Sequence, residues 1–165
     1  MKHVVAACLL AAITIPAGLA AQAPATPPAP ERDADYHNRQ NLYLYSLSPA
    51  EGWRTTASGL RYRKVSGPGT GPWPQVTDRV TIHYVGTFID GTEFDSSVAR
   101  GEPATFPLNR LIRGWQEGVP LMGVGDRYEF VIPYNLAYGP AGRGPIPGGA
   151  TLRFTIDLIA IAPPE

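Results

Sequence analysis

Val80-Thr81-Ile82-His83-Tyr84-Val85-Gly86-Thr87-Phe88, followed by Ile89-Asp90-Gly91-Thr92 and then Glu93-Phe94-Asp95-Ser96, is the stretch whose reading decides the fold. Val80, Ile82, Tyr84 and Phe88 alternate with Thr81, His83 and Thr87, the period of a strand with one face on a core. Asp90-Gly91 is a dipeptide suited to a two-residue type I′ hairpin, whose central positions both need positive φ. Beyond the turn, Phe94 and Asp95 set a large apolar ring beside an acid that is costly to bury unpaired. Arg100 is the nearest cation that could meet a buried Asp95; the competing reading leaves it in solvent.

Working outward, Arg110-Leu111-Ile112-Arg113-Gly114-Trp115-Gln116-Glu117-Gly118-Val119 reads as a short helix capped by Asn109 and stopped by Gly118 and Pro120, with Leu111, Ile112, Trp115 and Val119 on one face. Arg127–Ile132 and Ala150–Ile161 alternate as strands, the second with Leu152, Phe154, Ile156 and Leu158 on the core side. Gly59–Val65 is expected to form an edge strand guarded by its basic residues. The connection 134–149, rich in Gly and Pro, is long for an idle loop. One helix against a sheet gives an α+β class.

Upstream, residues 1–23 read as an export signal: Lys2 and His3, an apolar run from Val4 to Ile15, then small residues with cleavage after Ala20, Ala21 or Ala23. The run is too short to span a bilayer. Cys8, the only cysteine, lies inside this signal, and too little apolar sequence precedes it for a lipoprotein site. Residues 24–35 are a Pro/Ala-rich flexible linker. Residues 36–57 form an N-terminal extension in which 41–47 could be a short helix, although neither period is clean, and its expected use is to dock on the domain at 58–162. Fourteen acidic and fourteen basic residues cancel, so neither nucleic acid nor an anionic membrane is an expected partner. His37 and His83 are too isolated for a metal site. Ser96 and Ser97 follow an acid without a second histidine to complete a hydrolytic set.

Five blocks together carry a resemblance: Val-Thr-Ile-His-Tyr-Val-Gly at 80–86, Asp-Gly-Thr-Glu-Phe-Asp-Ser-Ser at 90–97, Leu-Ile-Arg-Gly-Trp-Gln-Glu-Gly at 111–118, Ala-Tyr-Gly at 137–139 and Ala-Thr-Leu-Arg-Phe at 150–154. In this order and spacing the chain resembles the FKBP-type peptidyl-prolyl cis/trans isomerases over roughly residues 58–162. The resemblance implies a twisted antiparallel sheet of five or six strands wrapped around one short α-helix, with the site between them. It also implies Trp115 as pocket floor and Tyr84, Phe94, Leu111, Ile112 and Phe154 as walls. Phe106 would support the pocket and Ile146 would lie on the overhanging loop. The Ile112 backbone N–H and the Tyr138 hydroxyl would hold substrate carbonyls, and Asp95 would be the polar wall near the rotating bond.

No cofactor and no metal are implied. The implied partners are proline-containing segments of unfolded or exported proteins, and macrolide inhibitors of the rapamycin type. Ala104 replaces an aromatic wall residue of many members, and Arg143 lies near a loop histidine of some. Members that dimerise carry a long helical domain upstream, for which this chain has no room, so a monomer is expected. With the export signal, the resemblance implies an exported protein, periplasmic or secreted. Two functions follow from the same groove: an isomerase that accelerates folding, or a chaperone or binding module that holds peptide segments without catalysis. Taken singly, each of the aromatics could equally be core.

Overall fold

A computed structural model describes residues 34–162, so the export signal, Cys8 and nearly all of the linker lie outside the described residues. Nine strands follow one another as β1 (Arg54–Thr55), β2 (Arg61–Ser66), β3 (Arg79–Phe88), β4 (Glu93–Ser96), β5 (Ala104–Pro107), β6 (Arg127–Ile132), β7 (Gly142–Arg143), β8 (Ile146–Pro147) and β9 (Leu152–Ala162). Seven build one sheet in the order β1-β2-β6-β9-β3-β4, with β5 also on β3, and β7-β8 form a separate small hairpin. Every pairing is antiparallel. The expected α+β architecture therefore holds, with β1 and the sharing of β3 between β4 and β5 raising the strand number above six.

Strand β3 is the hinge of the arrangement, because one of its edges pairs with β9 along its whole length while the other is divided. Its first half faces β5, Val80 opposite Phe106, and its second half faces β4, Gly86 opposite Asp95. The alternation read from sequence is realised: Val80, Ile82 and Tyr84 are buried and their neighbours are not. They join Leu152, Phe154, Ile156 and Leu158 of β9 and Phe130 and Ile132 of β6 in one core. Burying these side chains supplies the main drive to fold, roughly 1.5–3 kcal/mol for each large apolar group.

The hairpin between β3 and β4 corrects the expected type I′ turn. Among the described residues no non-glycine has positive φ, so Asp90 does not take the conformation that turn needs, whereas Gly91 has φ 89°. Gly91 N–H donates to Phe88 O at 3.0 Å and Phe88 N–H to Thr92 O at 2.9 Å, the pattern of a three-residue loop closed by a left-handed glycine. The Asp90 carboxylate accepts from Thr92 N–H at 2.9 Å, so it works as a turn-closing acceptor.

The helix that crosses the sheet is also shorter than expected. A 3-10 turn covers Leu108–Arg110, Leu111 is extended, and α2 runs only over Arg113–Gly118 before a second 3-10 turn at Val119–Leu121. Asn109 caps nothing; the cap position is Ile112, which has no side-chain oxygen to offer. Burial of Gly114, Trp115 and Gly118 holds the helix in place instead. A Cβ on Gly114 would lie 2.4 Å from Ile132 Cγ2, and one on Gly118 would lie 2.6 Å from Phe130 Cε1, so glycine at both positions lets the helix rest directly on β6.

The N-terminal extension forms α1 over Ala34–Ser46, beginning inside the segment read as linker, well upstream of the expected 41–47, and ending at Ser46. It docks on the domain as anticipated. Gln40, the one buried residue of the helix, accepts from Thr151 N–H at 2.8 Å, and the Arg153 guanidinium lies 5.9 Å from the Tyr43 ring centroid. A buried backbone donor at the start of β9 is thus satisfied by a residue far away in sequence. Among the described residues, no helix is long and apolar enough to cross a membrane.

Candidate active site

Two aromatic edges and a ring of polar atoms open a cleft of about 290 Å³ between α2 and the concave side of the sheet. Trp115 lines it and is met by three aromatic rings. Tyr84 and Phe154 meet the indole edge-on, with centroids at 5.3 and 5.1 Å and interplanar angles of 78° and 87°. Phe106 completes the ring about the indole at 6.4 Å, and Phe94 stands at 5.7 Å from Phe154. Such edge-to-face contacts fix each ring beyond what burial alone would do. Trp115, Tyr84 and Phe154 are each 5% exposed, so they are core and cleft wall at once.

The Trp115 Nε1–H has no hydrogen-bond partner among the described residues, although it is buried. Leaving such a donor unpaired costs about 1–3 kcal/mol.

Asp95 reaches the same cleft through an irregularity in the sheet. Val85 pairs with Ser96 and Gly86 with Asp95, but Thr87 pairs with Glu93, so Phe94 is an extra residue against β3. A bulge of this kind breaks strict alternation and re-aims side chains. The consecutive residues Phe94 and Asp95 consequently both line the cleft. Across from them, a Cβ on Gly86 would lie 2.8 Å from both Phe94 Cζ and Phe154 Cε1, so the two rings pack directly over the glycine and would have to shift for any larger residue.

Asp95 was expected to be buried; its side chain is instead 44% exposed. The anticipated cation is nevertheless there. Arg100 Nη1 donates to Asp95 Oδ1, Arg100 Nη2 donates to Tyr84 Oη at 2.8 Å, and Tyr84 Oη–H donates to Asp95 Oδ2 at 2.6 Å. The guanidinium also lies 5.5 Å from the Tyr84 ring centroid. Partial burial opposes ionisation of Asp95, but the bonds from Tyr84 and Arg100 outweigh it and hold the carboxyl below its usual range. Burial, followed by the bond to Asp95, pushes the Tyr84 hydroxyl up, and Asp95 and Tyr84 together raise Arg100. The triad therefore presents an ionised, fixed acceptor with its charge already compensated.

The serines beside it do different work. Ser97 is fully buried; its Oγ accepts from Tyr84 N–H at 2.8 Å and lies 3.0 Å from His83 Nδ1. It fastens the strand that carries Tyr84 and does not line the cleft. The remaining walls come from Leu111 and Ile112 on the helix side and Tyr138 on the loop side. Ile112 has an extended backbone at the head of α2, and among the described residues its N–H has no partner. Tyr138 follows a 3-10 turn at Tyr134–Leu136 and sits in a loop whose base is closed by Gly149 N–H on Gly139 O at 3.0 Å.

Nine residues singled out from sequence thus meet in one cleft: Tyr84, Phe94, Asp95, Phe106, Leu111, Ile112, Trp115, Tyr138 and Phe154. Ile146 does not join them. It lies in the 134–149 connection as expected, in β8, but its side chain is 7% exposed and belongs to the core. Sequence reasoning missed Arg110 as a lining residue, and it noted Arg143 only as a departure from a family pattern. No spacing signals either one, since each reaches the cleft from an irregular segment.

The sequence profile of the FKBP-type peptidyl-prolyl cis-trans isomerases matches residues 71–159. FKBP-type peptidyl-prolyl cis-trans isomerase FkpA of Aeromonas hydrophila is 54% identical over 122 residues, covering 74% of this chain and 45% of that protein. The crystal structure of FkpA from Escherichia coli superposes with a TM-score of 0.75 at 40% identity, over 79% of this chain and 61% of that one. That of a peptidyl-prolyl cis-trans isomerase from Pseudomonas syringae pv. tomato gives 0.73 at 31% identity, over 81% of this chain and 99% of that one. The chain spans about half the length of the curated relatives it matches. A bulged strand, a glycine-backed pair of phenylalanines and a cleft-lining indole are thus found on a chain that belongs to the FKBP-type peptidyl-prolyl cis-trans isomerase family.

Proposed function

We propose that this protein is a peptidyl-prolyl cis/trans isomerase that binds X-Pro segments in the Trp115 cleft and accelerates the folding of exported proteins. The observation that carries the reading is the meeting of an aromatic cluster about Trp115 with Asp95 and Tyr138 in one open cleft. Rotation about an X-Pro bond faces a barrier of about 18–20 kcal/mol set by partial double-bond character, and is slow uncatalysed, about 10–100 s. No bond is made or broken, so the protein need only bind the twisted amide better than the planar one.

Trp115, with Tyr84 and Phe154 at its edges, grips the proline ring and excludes water, a setting that suits the less dipolar carbonyl of the twisted amide. Ile112 N–H and the Tyr138 hydroxyl hold substrate carbonyls. Asp95, locked by Arg100 and Tyr84, supplies a fixed negative wall that does not reorganise as the bond turns. Phe106 backs the floor, and Ile146 contributes by anchoring the loop that carries Arg143. We further propose that residues 58–162 are the isomerase domain and that 1–23 direct export to the periplasm, the apolar run and small-residue end of that segment being the support.

The test is acceleration of cis-to-trans conversion in an Ala-Leu-Pro-Phe peptide by the purified protein. Peptide binding with no change in rate would refute the isomerase and point to a holding role.

A further inference from the structure

The cleft carries charge that isomerisation does not use. Arg110, in the 3-10 turn before α2, and Arg143, in β7, both line it and both are exposed. Neither guanidinium has a hydrogen-bond or ion-pair partner among the described residues. Asp95 is the only acid on the lining, and Arg100 already meets its charge. The cleft is thus an aromatic cup with two uncommitted guanidinium groups from separate elements.

We propose that this cleft selects X-Pro segments bearing a carboxylate side chain directly beside the proline. The inference rests on the isomerase reading above. With the proline ring on Trp115, the flanking side chains lie toward the walls, where the two arginines stand. A guanidinium matches a carboxylate through paired N–H donors and stays charged at any working pH. Low-dielectric aromatic walls focus the field of like charges set in a cleft. Both arginines are open to solvent, so the preference is modest and salt-sensitive, about 3- to 10-fold.

The experiment measures kcat/KM by protease-free NMR exchange on two matched pairs, Ala-Glu-Pro-Phe against Ala-Gln-Pro-Phe and Ala-Ala-Pro-Glu against Ala-Ala-Pro-Gln, with Ala-Leu-Pro-Phe as reference. In at least one pair the Glu peptide should exceed its Gln isostere by about 3- to 10-fold at low salt. The ratio should fall toward one in about 0.5 M salt, and likewise in the Arg110→Gln/Arg143→Gln double variant. A ratio of one or below in both pairs overturns the proposal. So does a ratio that survives both the salt and the double substitution. Should the Leu reference itself not be accelerated, it is the isomerase reading that fails; acceleration of that reference with a Glu/Gln ratio of one removes only the acidic preference.

Discussion

Asp126 and Asp95 are both aspartates paired with a cation, both held below the usual carboxyl range, and they sit in opposite settings. Asp126 is 1% exposed; it accepts from Gly69 N–H at 2.8 Å and Gly123 N–H at 3.0 Å, with Lys64 Nζ at 2.9 Å. Its oxygens are consumed by the loops that join β2 to β3 and precede β6. Asp95 is nearly half exposed, is held chiefly by the Tyr84 and Arg100 side chains, and opens on the cleft. The first carboxylate organises backbone, whereas the second lines the cleft, where we propose that it faces substrate. What separates scaffold from site is therefore the destination of the lone pairs, since charge state and cation are shared.

The largest expected effect tests that division through stability. Asp126→Ala leaves two loop N–H groups and Lys64 without their acceptor, and should cost about 3 kcal/mol. Asp95→Ala breaks a solvent-screened pair and should cost under about 1 kcal/mol. Chemical denaturation of the two variants beside the parent decides it, and equal midpoints would erase the distinction. Activity should rank them the other way. Asp95→Ala should lower kcat/KM on Ala-Leu-Pro-Phe about tenfold, and Tyr138→Phe somewhat less, through loss of fixed polar stabilisation. Asp126→Ala, measured well below its unfolding temperature, should retain most of the parent rate.

Each aspartate has a glycine packed beside it, which sharpens the contrast. A Cβ on Gly67, at φ 111°, would lie 2.4 Å from Asp126 Oδ1 and 2.6 Å from Gly125 O, where backbone cannot yield. Gly67→Ala should therefore destabilise by about 2–3 kcal/mol, adding left-handed strain to a clash. A Cβ on Gly86 would meet ring atoms of Phe94 and Phe154, which can swing toward the cleft. Gly86→Ala should raise KM about threefold, for a cost of about 1–2 kcal/mol in overpacking. A KM unchanged in the Gly86 variant would mean that these rings do not shape the binding surface.

These paired sites also mark how far the sequence could be read. The strands at Arg79–Phe88 and Leu152–Ala162 were legible because one face is buried and alternation survives along them. The pairing of Asp95 with Arg100 was legible because the partner is five residues away. What was not legible depends on distant geometry. The bulge that turns Phe94 and Asp95 to the same side exists only against β3. Gln40 reads as an ordinary polar helix residue until the Thr151 N–H is seen beside it. The helix was overextended at both ends because an apolar face continues through Leu111 and Val119 while the backbone there is extended or 3-10. Asp126 carried no signal, since a lone acid before a strand is usually solvated, and nothing local announces Lys64 as its partner.

The smallest effect expected is in pH dependence, and it separates the two aspartates once more. Burial opposes ionisation of Asp126, but the bonds from Lys64, Gly123 and Gly69 prevail and lower its carboxyl. A group with a depressed folded value contributes stability that is complete above the unfolded value, about 3.9 for Asp, and is lost as pH falls through the folded one. The parent should thus lose stability below about pH 4, and Asp126→Asn, already weaker at neutrality, should lose less over the same interval. Asp95 remains ionised at neutrality for the same reason of sign, while Arg100 and Tyr84, both raised, keep their protons. With no proton moved in the rotation and no member of the triad titrating, kcat/KM should stay level between about pH 6 and 8.5. A bend inside that window that disappears in Asp95→Asn would mean that Asp95 works as an acid or base where we assign it a fixed wall.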